Sequence, residues 1–169
     1  FLADQQTTMI WRGPMVTSAK KTFSQKGTWK EQDVTIVDMP PGTGDTQLTF
    51  SQEIKMDGAI IVSTPQEVAL LDVKRGIKMF DKLGVKILGL VDNMSFFNGD
   101  DGKRYKIFGE GGVKKTAEEF QKKFLGEIPI NPEVGKCGDE GKPIVEANPD
   151  HEISKIFIDF AKQIKSTYL

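Results

Sequence analysis

The sequence has 169 residues, a formal net charge of -1 and a single cysteine, Cys137. These exclude a second large domain, an internal disulfide, and a global electrostatic pull toward nucleic acid or an anionic membrane. No apolar run approaches the roughly 20 residues of a membrane-spanning helix, and the cysteine usage suits a reducing compartment.

From the amino end, Met9, Ile10 and Trp11 read as a short strand or buried turn, broken by Arg12-Gly13-Pro14. Met15, Ala19 and Phe23, spaced by fours, predict a helix from Met15 to about Gln25 that Gly27 ends, with Trp29 as a packing residue. Val34, Thr35, Ile36 and Val37 form a β-branched run that predicts a strand buried on both faces. Asp38 sits at its carboxyl end, where open α/β sheets place ligands. Pro40, Pro41, Gly42 and Gly44 then force a tight loop that carries Thr43 and Asp45. An acid closing an apolar strand before such a loop is the layout of a Walker B segment and its switch, with Asp38 toward magnesium, directly or through water. A strand that ends in a plain turn fits the same residues.

Asp45 is also placed to cap a helix from near Thr46 toward Glu53. Ala59 to Ser63 (AIIVS) is the second buried strand, ended by Thr64-Pro65. Glu67 to Leu83 reads as a long helix with Val68, Leu71, Ile77, Phe80 and Leu83 on its apolar face, stopped by Gly84. Val85 to Val91 is the third strand, with Asp92, Asn93 and Met94 at its carboxyl end. Strands separated by helices of this length predict an α/β fold with a mainly parallel sheet. Asp38, Thr64 and Asn93 then fall along one edge of it.

Phe96 to Ile107, with Asn98-Gly99 and Asp101-Gly102, predicts a hairpin or protruding loop. Gly109, Gly111 and Gly112 lead into a helix from about Val113 to Phe124, whose Lys114, Lys115, Glu118, Glu119, Lys122 and Lys123 suit a solvated face. Leu125 to Ile130 is a short edge strand, and Asn131-Pro132 can start a helical turn. Gly135 to Pro143 reads as a mobile loop and Ile144 to Pro149 as linking chain. Glu152 to Lys165 is an amphipathic helix with Ile153, Ile156, Phe157, Phe160, Ala161 and Ile164 as its buried stripe.

A nucleotide site needs a phosphate cradle, a magnesium acid, a γ-phosphate sensor and a base pocket. Asp38 and the Pro40 to Asp45 loop supply the acid and the sensor. The Asn93 amide offers a donor and an acceptor that match the edge of adenine, or caps a turn; Pro129 and Ile130 could wall the ring, or pack the sheet edge. The sequence contains no GxxxxGK(S/T), so this stretch by itself is expected to hydrolyse ATP poorly or not at all. His151, the only histidine, lies beside Asp150 and Glu152 as a capping-region residue, and one cysteine with one histidine makes neither a zinc site nor a triad.

Seven blocks in order carry a resemblance: WRGPM at Trp11 to Met15, DMPPGTGD at Asp38 to Asp45, TPQEVALLDVKRG at Thr64 to Gly76, DNMSFF at Asp92 to Phe97, IFGEGG at Ile107 to Gly112, LGEIPI at Leu125 to Ile130 and GDEGKPI at Gly138 to Ile144. Together they resemble the Mrp/NBP35 family of P-loop ATPases, iron–sulfur cluster carriers and assembly proteins related to MinD and ParA. The resemblance implies that Asp38 is the Walker B acid for magnesium, that Gly42, Thr43, Gly44 and Asp45 form the nucleotide-coupled switch, and that Asp38 and Asp45 are the catalytic acids. It further implies that Thr64 lines the site, that Asn93 contacts adenine, and that Pro129 and Ile130 flank the base. The implied cofactors are ATP and magnesium, with a 4Fe-4S cluster by resemblance alone. A homodimer and apo iron–sulfur client proteins are the implied partners, with no nucleic acid and no membrane, in the cytoplasm, mitochondrial matrix or plastid stroma.

In that family the P-loop lies upstream of the WRGPM block, so residues 1–169 are expected to be the downstream part of a single nucleotide-binding domain, with apolar sheet edges left uncovered. Many members also carry a CxxC pair after the NMS motif, where this sequence has NGDDGKRYK from Asn98 to Lys106, an interval similar to that of the chloroplast branch. The leading function is an ATP-binding iron–sulfur carrier that uses slow hydrolysis as a switch. The alternatives are a non-catalytic adaptor or inactive paralogue, and a MinD/ParA-like positioning ATPase.

Overall fold

The computed structural model describes residues 33–39, 51–52 and 56–168. The chain divides into two units, Phe1–Lys55 and Met56–Leu169. In the first, Ser51 and Gln52 are helical, in line with the helix expected toward Glu53. Val34, Ile36 and Val37 are 56%, 91% and 42% exposed, and no ladder pairs them with any described residue. The expected doubly buried strand is therefore not formed there: β-branched residues favour extended backbone, but a strand also needs a neighbour's N–H and C=O groups. The Met9–Trp11 strand, the Met15–Gln25 helix and the Pro40–Asp45 loop lie outside the described residues.

The second unit is built on a mixed four-stranded sheet. β1 (Ala59–Ser63) leads through α1 (Glu67–Lys82) to β2 (Ile87–Asn98), which runs parallel to β1. Gly84, at φ +69°, takes the left-handed position that lets the chain leave α1 and turn back. β3 (Arg104–Tyr105) pairs antiparallel with Phe97 and Asn98 and closes the expected hairpin. α2 (Gly112–Glu119) then crosses to β4 (Phe124–Ile130), which lies parallel on the other side of β2. α3 (Pro132–Asp139), α4 (Ile144–Ala147) and α5 (Glu152–Tyr168) complete the order.

Two apolar layers sandwich β2. On one face Leu70, Val73 and Ile77 of α1 meet Ile87 and Leu90 of β2 and Val113 and Ala117 of α2. On the other, Val91, Leu125 and Ile128 meet Cys137, Ile144 and Ile153. Ile77 and Phe80 of the expected α1 face do pack on the core, but its first turns are rotated: Val68 and Leu71 are 71% and 57% exposed, whereas Leu70 and Val73 are buried. A run of five apolar residues in six lets either stripe be chosen, and the crossover geometry chooses. In α5, Ile153 is buried and Ile156, Phe160 and Ile164 pack on the core, while Phe157 and Ala161 are exposed.

Two segments expected to be irregular are helical. Asn131 Oδ1 accepts from the Glu133 N–H at 2.8 Å and Pro132 opens the first turn, so α3 starts from a cap and a fixed φ. Cys137, facing the core, anchors it against the cost of Gly135 and Gly138. α4 is held by Ile144 and by Ser154 Oγ, which donates to the Ile144 and Asn148 carbonyls at 3.1 and 2.6 Å. Conversely, α2 stops five residues early. Gln121 turns left-handed at φ +54° and the Lys122 N–H returns to the Ala117 carbonyl at 2.8 Å, which frees Phe124 to enter β4.

Candidate functional site

The carboxyl end of β1 lies beside the middle of β2, which in turn pairs with the middle of β4. Ser63, Asp92 and Glu127 form one register row across the three strands, and Asn93 aligns with Ile128 in the next. Parallel pairing therefore brings Thr64, Asn93 and Pro129 near one another across the three strands, while Ile130 lies further along, opposite Phe97. Asn93 is half-buried and its amide makes no side-chain hydrogen bond among the described residues. Pro129 is buried and Ile130 half-buried; a proline is tolerated here because β4 pairs with β2 alone among the described strands. Thr64 Oγ1 lies 3.4 Å from Gln66 Oε1. Just past Asn93, Met94 adopts φ +54° and the register with β4 shifts before Phe97. That left-handed residue inside a strand is unfavourable for a side chain as long as methionine, and it bends β2 beside the Asn93 amide.

Sequence reasoning assigned no role to Asp92, which is the most unusual polar group of the edge. It is 0% exposed and neither carboxylate oxygen has a hydrogen-bond partner among the described residues. Burial foremost, and then the negative charge of Glu127, push its pKa from 3.8 up to about 6, against the opposing charge of Lys106. The missing signal was the register that places Glu127 beside it, a long-range fact with no trace in local pattern.

Asp38 belongs to the first unit and is exposed; Gly42, Thr43, Gly44 and Asp45 lie outside the described residues. His151 caps α5, its Nδ1 accepting from the Ile153 N–H at 3.2 Å with Nε2 at 3.4 Å from Glu133, which ties α5 to α3. No cluster of three or more metal-ligating acid, histidine or cysteine residues occurs among the described residues, and Cys137 is only 6% exposed, packed in the apolar layer under α3. An apolar cavity near Val134, Pro143, Ile144 and Phe157 presents no charged side chain and so does not suit a phosphate.

A family model described as ParA, NUBPL iron-transfer P-loop NTPase, matches residues 1–165. The chain belongs to the NUBPL iron-transfer P-loop NTPase family. The iron–sulfur cluster carrier protein of Aquifex aeolicus is 43% identical over 162 residues, 95% of this chain and 44% of that protein. The iron–sulfur cluster transfer protein NUBPL of Dictyostelium discoideum is 46% identical over 165 residues, 97% of this chain and 51% of that protein. Among solved structures, the nucleotide-binding protein of Archaeoglobus fulgidus in complex with ADP superposes with a TM-score of 0.71 at 37% identity, covering 80% of this chain and 56% of that one. The chain spans about half the length of these curated relatives. The resemblance carried by the seven sequence blocks and the α/β architecture read from them agree with this NUBPL-type membership.

Proposed function

We propose that these residues form the base-binding edge and switch of an ATP-dependent iron–sulfur cluster carrier, which acts as a homodimer on apo iron–sulfur proteins in the cytoplasm or a reducing organelle compartment. The observation that carries the reading is the parallel register that sets Thr64, just past β1, and Pro129, near the end of β4, on either side of Asn93 in β2, with an Asn93 amide that no described residue satisfies. That donor set fits an adenine edge, and Pro129 with Ile130 offers it an apolar wall. Asn93 would orient the base, Thr64 would line the same edge, and Asp38 would hold magnesium, which supplies positive charge against the phosphates. Gly42, Thr43, Gly44 and Asp45 would follow the state of the γ-phosphate, with Asp38 and Asp45 as the acids of slow hydrolysis in the complete protein.

The cluster is cargo in this scheme, and the described residues do not fit its ligands: the one cysteine is buried and no acid or histidine cluster accompanies it. No transfer step is therefore assigned to them. No helix among the described residues is long and apolar enough to cross a membrane.

Calorimetric titration of the full-length protein with ATP and with GTP tests the base site. Asn93→Ala is expected to weaken ATP binding about tenfold and to shrink the preference over GTP, because a lost amide pair is worth about 1–1.5 kcal/mol. An unchanged preference would remove Asn93 from the site. Asp38→Asn should abolish magnesium-dependent turnover; turnover at the parent rate would refute its role.

A further inference from the structure

Ser63, Asp92 and Glu127 share one face of the sheet as well as one register row. Ile61 and Leu90 are paired and both enter the α1/α2 layer, so Ser63 and Asp92, two residues further along the same strands, point to that face. In β4, Ile128 enters the opposite layer, and Glu127, one residue before it and paired with Asp92, therefore stands on the α1/α2 face. Neighbouring strands lie about 4.8 Å apart, which sets the Asp92 and Glu127 carboxylates side by side, with the Ser63 hydroxyl on the other side of Asp92. Two like charges held that close oppose one another. Asp92 is 0% exposed with neither oxygen hydrogen-bonded, and Glu127 forms no ion pair or side-chain hydrogen bond among the described residues. The charge of Lys106 reaches Asp92, but its ammonium is held by Glu110 at 2.6 Å. Ser63 Oγ donates to the Thr64 carbonyl at 2.9 Å, which commits its proton and leaves its lone pairs available. The row thus presents oxygen acceptors and lacks positive charge.

We propose that this row is a binding site for a hard divalent cation (magnesium, calcium or manganese), held by the Asp92 and Glu127 carboxylates with the Ser63 hydroxyl as a weaker third ligand. Carboxylate and hydroxyl oxygens select such ions over those that prefer thiolate or imidazole. Two carboxylates balance the charge of the ion, so the buried group becomes neutral as a whole, whereas a buried carboxylate with no counter-charge is costly. Without the cation, burial and then Glu127 let Asp92 keep its proton to about pH 6, and the row persists as a neutral acid beside a charged one. Glu127 is half-buried, which leaves a side from which the ion can enter and water can complete its shell. None of these residues is assigned to the nucleotide or its magnesium: Asp38 belongs to the first unit, and Asn93, aligned with Ile128, stands on the opposite face of the sheet. The cation site is therefore independent of the nucleotide reading.

Titration of the nucleotide-free full-length protein with manganese(II) at neutral pH, followed by electron paramagnetic resonance, tests it, because the sharp signal of the aqueous ion disappears on binding. Binding at this site is expected below about 1 mM, the weak end of the range for oxygen-ligand sites. Asp92→Asn and Glu127→Gln should each weaken it by at least about tenfold, since affinity at such sites follows the number of ligand charges. Asp38→Asn should leave it unchanged. Absence of binding, or binding at parent affinity in either carboxylate variant, would overturn the proposal. So would binding lost in Asp38→Asn, which would give the ion to the nucleotide site instead. Should Asp92→Asn fail to fold, Glu127→Gln, at a half-buried position, decides alone: a loss of affinity there supports the site and parent affinity sinks it.

Discussion

β1 and β4 flank the same central strand, both parallel to it, and both come from short apolar sequences, yet they end in different surroundings. β4 is sealed: Phe124 enters the α1/α2 layer while Leu125 and Ile128 enter the layer under α3 and α5. β1 alternates. Ile61 packs toward α1, but Ile60 and Val62 are 45% and 57% exposed, and no described strand pairs with the outer edge. Hydrophobicity states only that a residue can be buried; whether it is depends on the element that arrives opposite. An uncovered apolar edge of this kind is a surface that ordinarily receives further structure.

Four measurements can break or sharpen that contrast. The largest loss is expected for Leu90→Ala at the centre of the sealed side: Leu90 is 0% exposed, and urea unfolding should show a loss of about 3–5 kcal/mol. Next comes pH. Because the folded form holds the Asp92 proton to about pH 6 and the unfolded form only to 3.8, stability should fall as pH rises through that window, by on the order of 3 kcal/mol at most, and stay level above it. Asp92→Asn should flatten the curve of urea midpoint against pH. A smaller effect is expected for Gly126→Ala in β4: Gly126 sits at φ +148°, and an added Cβ would stand 2.7 Å from Phe160 Cε1. Thermal melting should register a loss of about 2 kcal/mol, through strain and displacement of that ring. The smallest change, within about 0.5 kcal/mol, belongs to Val62→Thr on the open face of β1. A loss there comparable to Leu90→Ala would show that β1 is covered in the full-length protein, and the contrast would fall.

What the sequence disclosed and concealed follows the range of the interactions involved. The β1, α1 and β2 order, the hairpin at Asn98 to Tyr105 and the stop at Gly84 rest on local pattern and turn chemistry and appear in the expected order, although β2 runs on to Asn98, seven residues past its expected end at Val91. Thr64 does follow the end of β1 and Pro129 lies near the end of β4, but Asn93, expected at a strand end, lies inside β2. The buried stripe of α1 was legible at Ile77 and Phe80 but misread in its first turns, because Val68 to Leu71 offers several equivalent apolar faces and only packing against β2 and α2 selects one. The Gly-rich stretch around Cys137 looked mobile because helix propensity is low there, whereas the Asn131 cap and burial of the thiol outweigh it. Asp92 stayed inconspicuous for the most instructive reason: its neighbour Glu127 lies on a strand that joins it only after the intervening hairpin and helix have been folded.

Cys137, the sole thiol in the sequence and 6% exposed, also provides a clock. A reagent such as dithionitrobenzoate can reach it only when α3 lifts from the sheet, so in mild conditions the labelling rate reports how often that happens, with a single chromophore released per molecule. Dependence of the rate on reagent concentration separates rare large openings from frequent small ones. The residue thus records the breathing of one helix without any engineered probe.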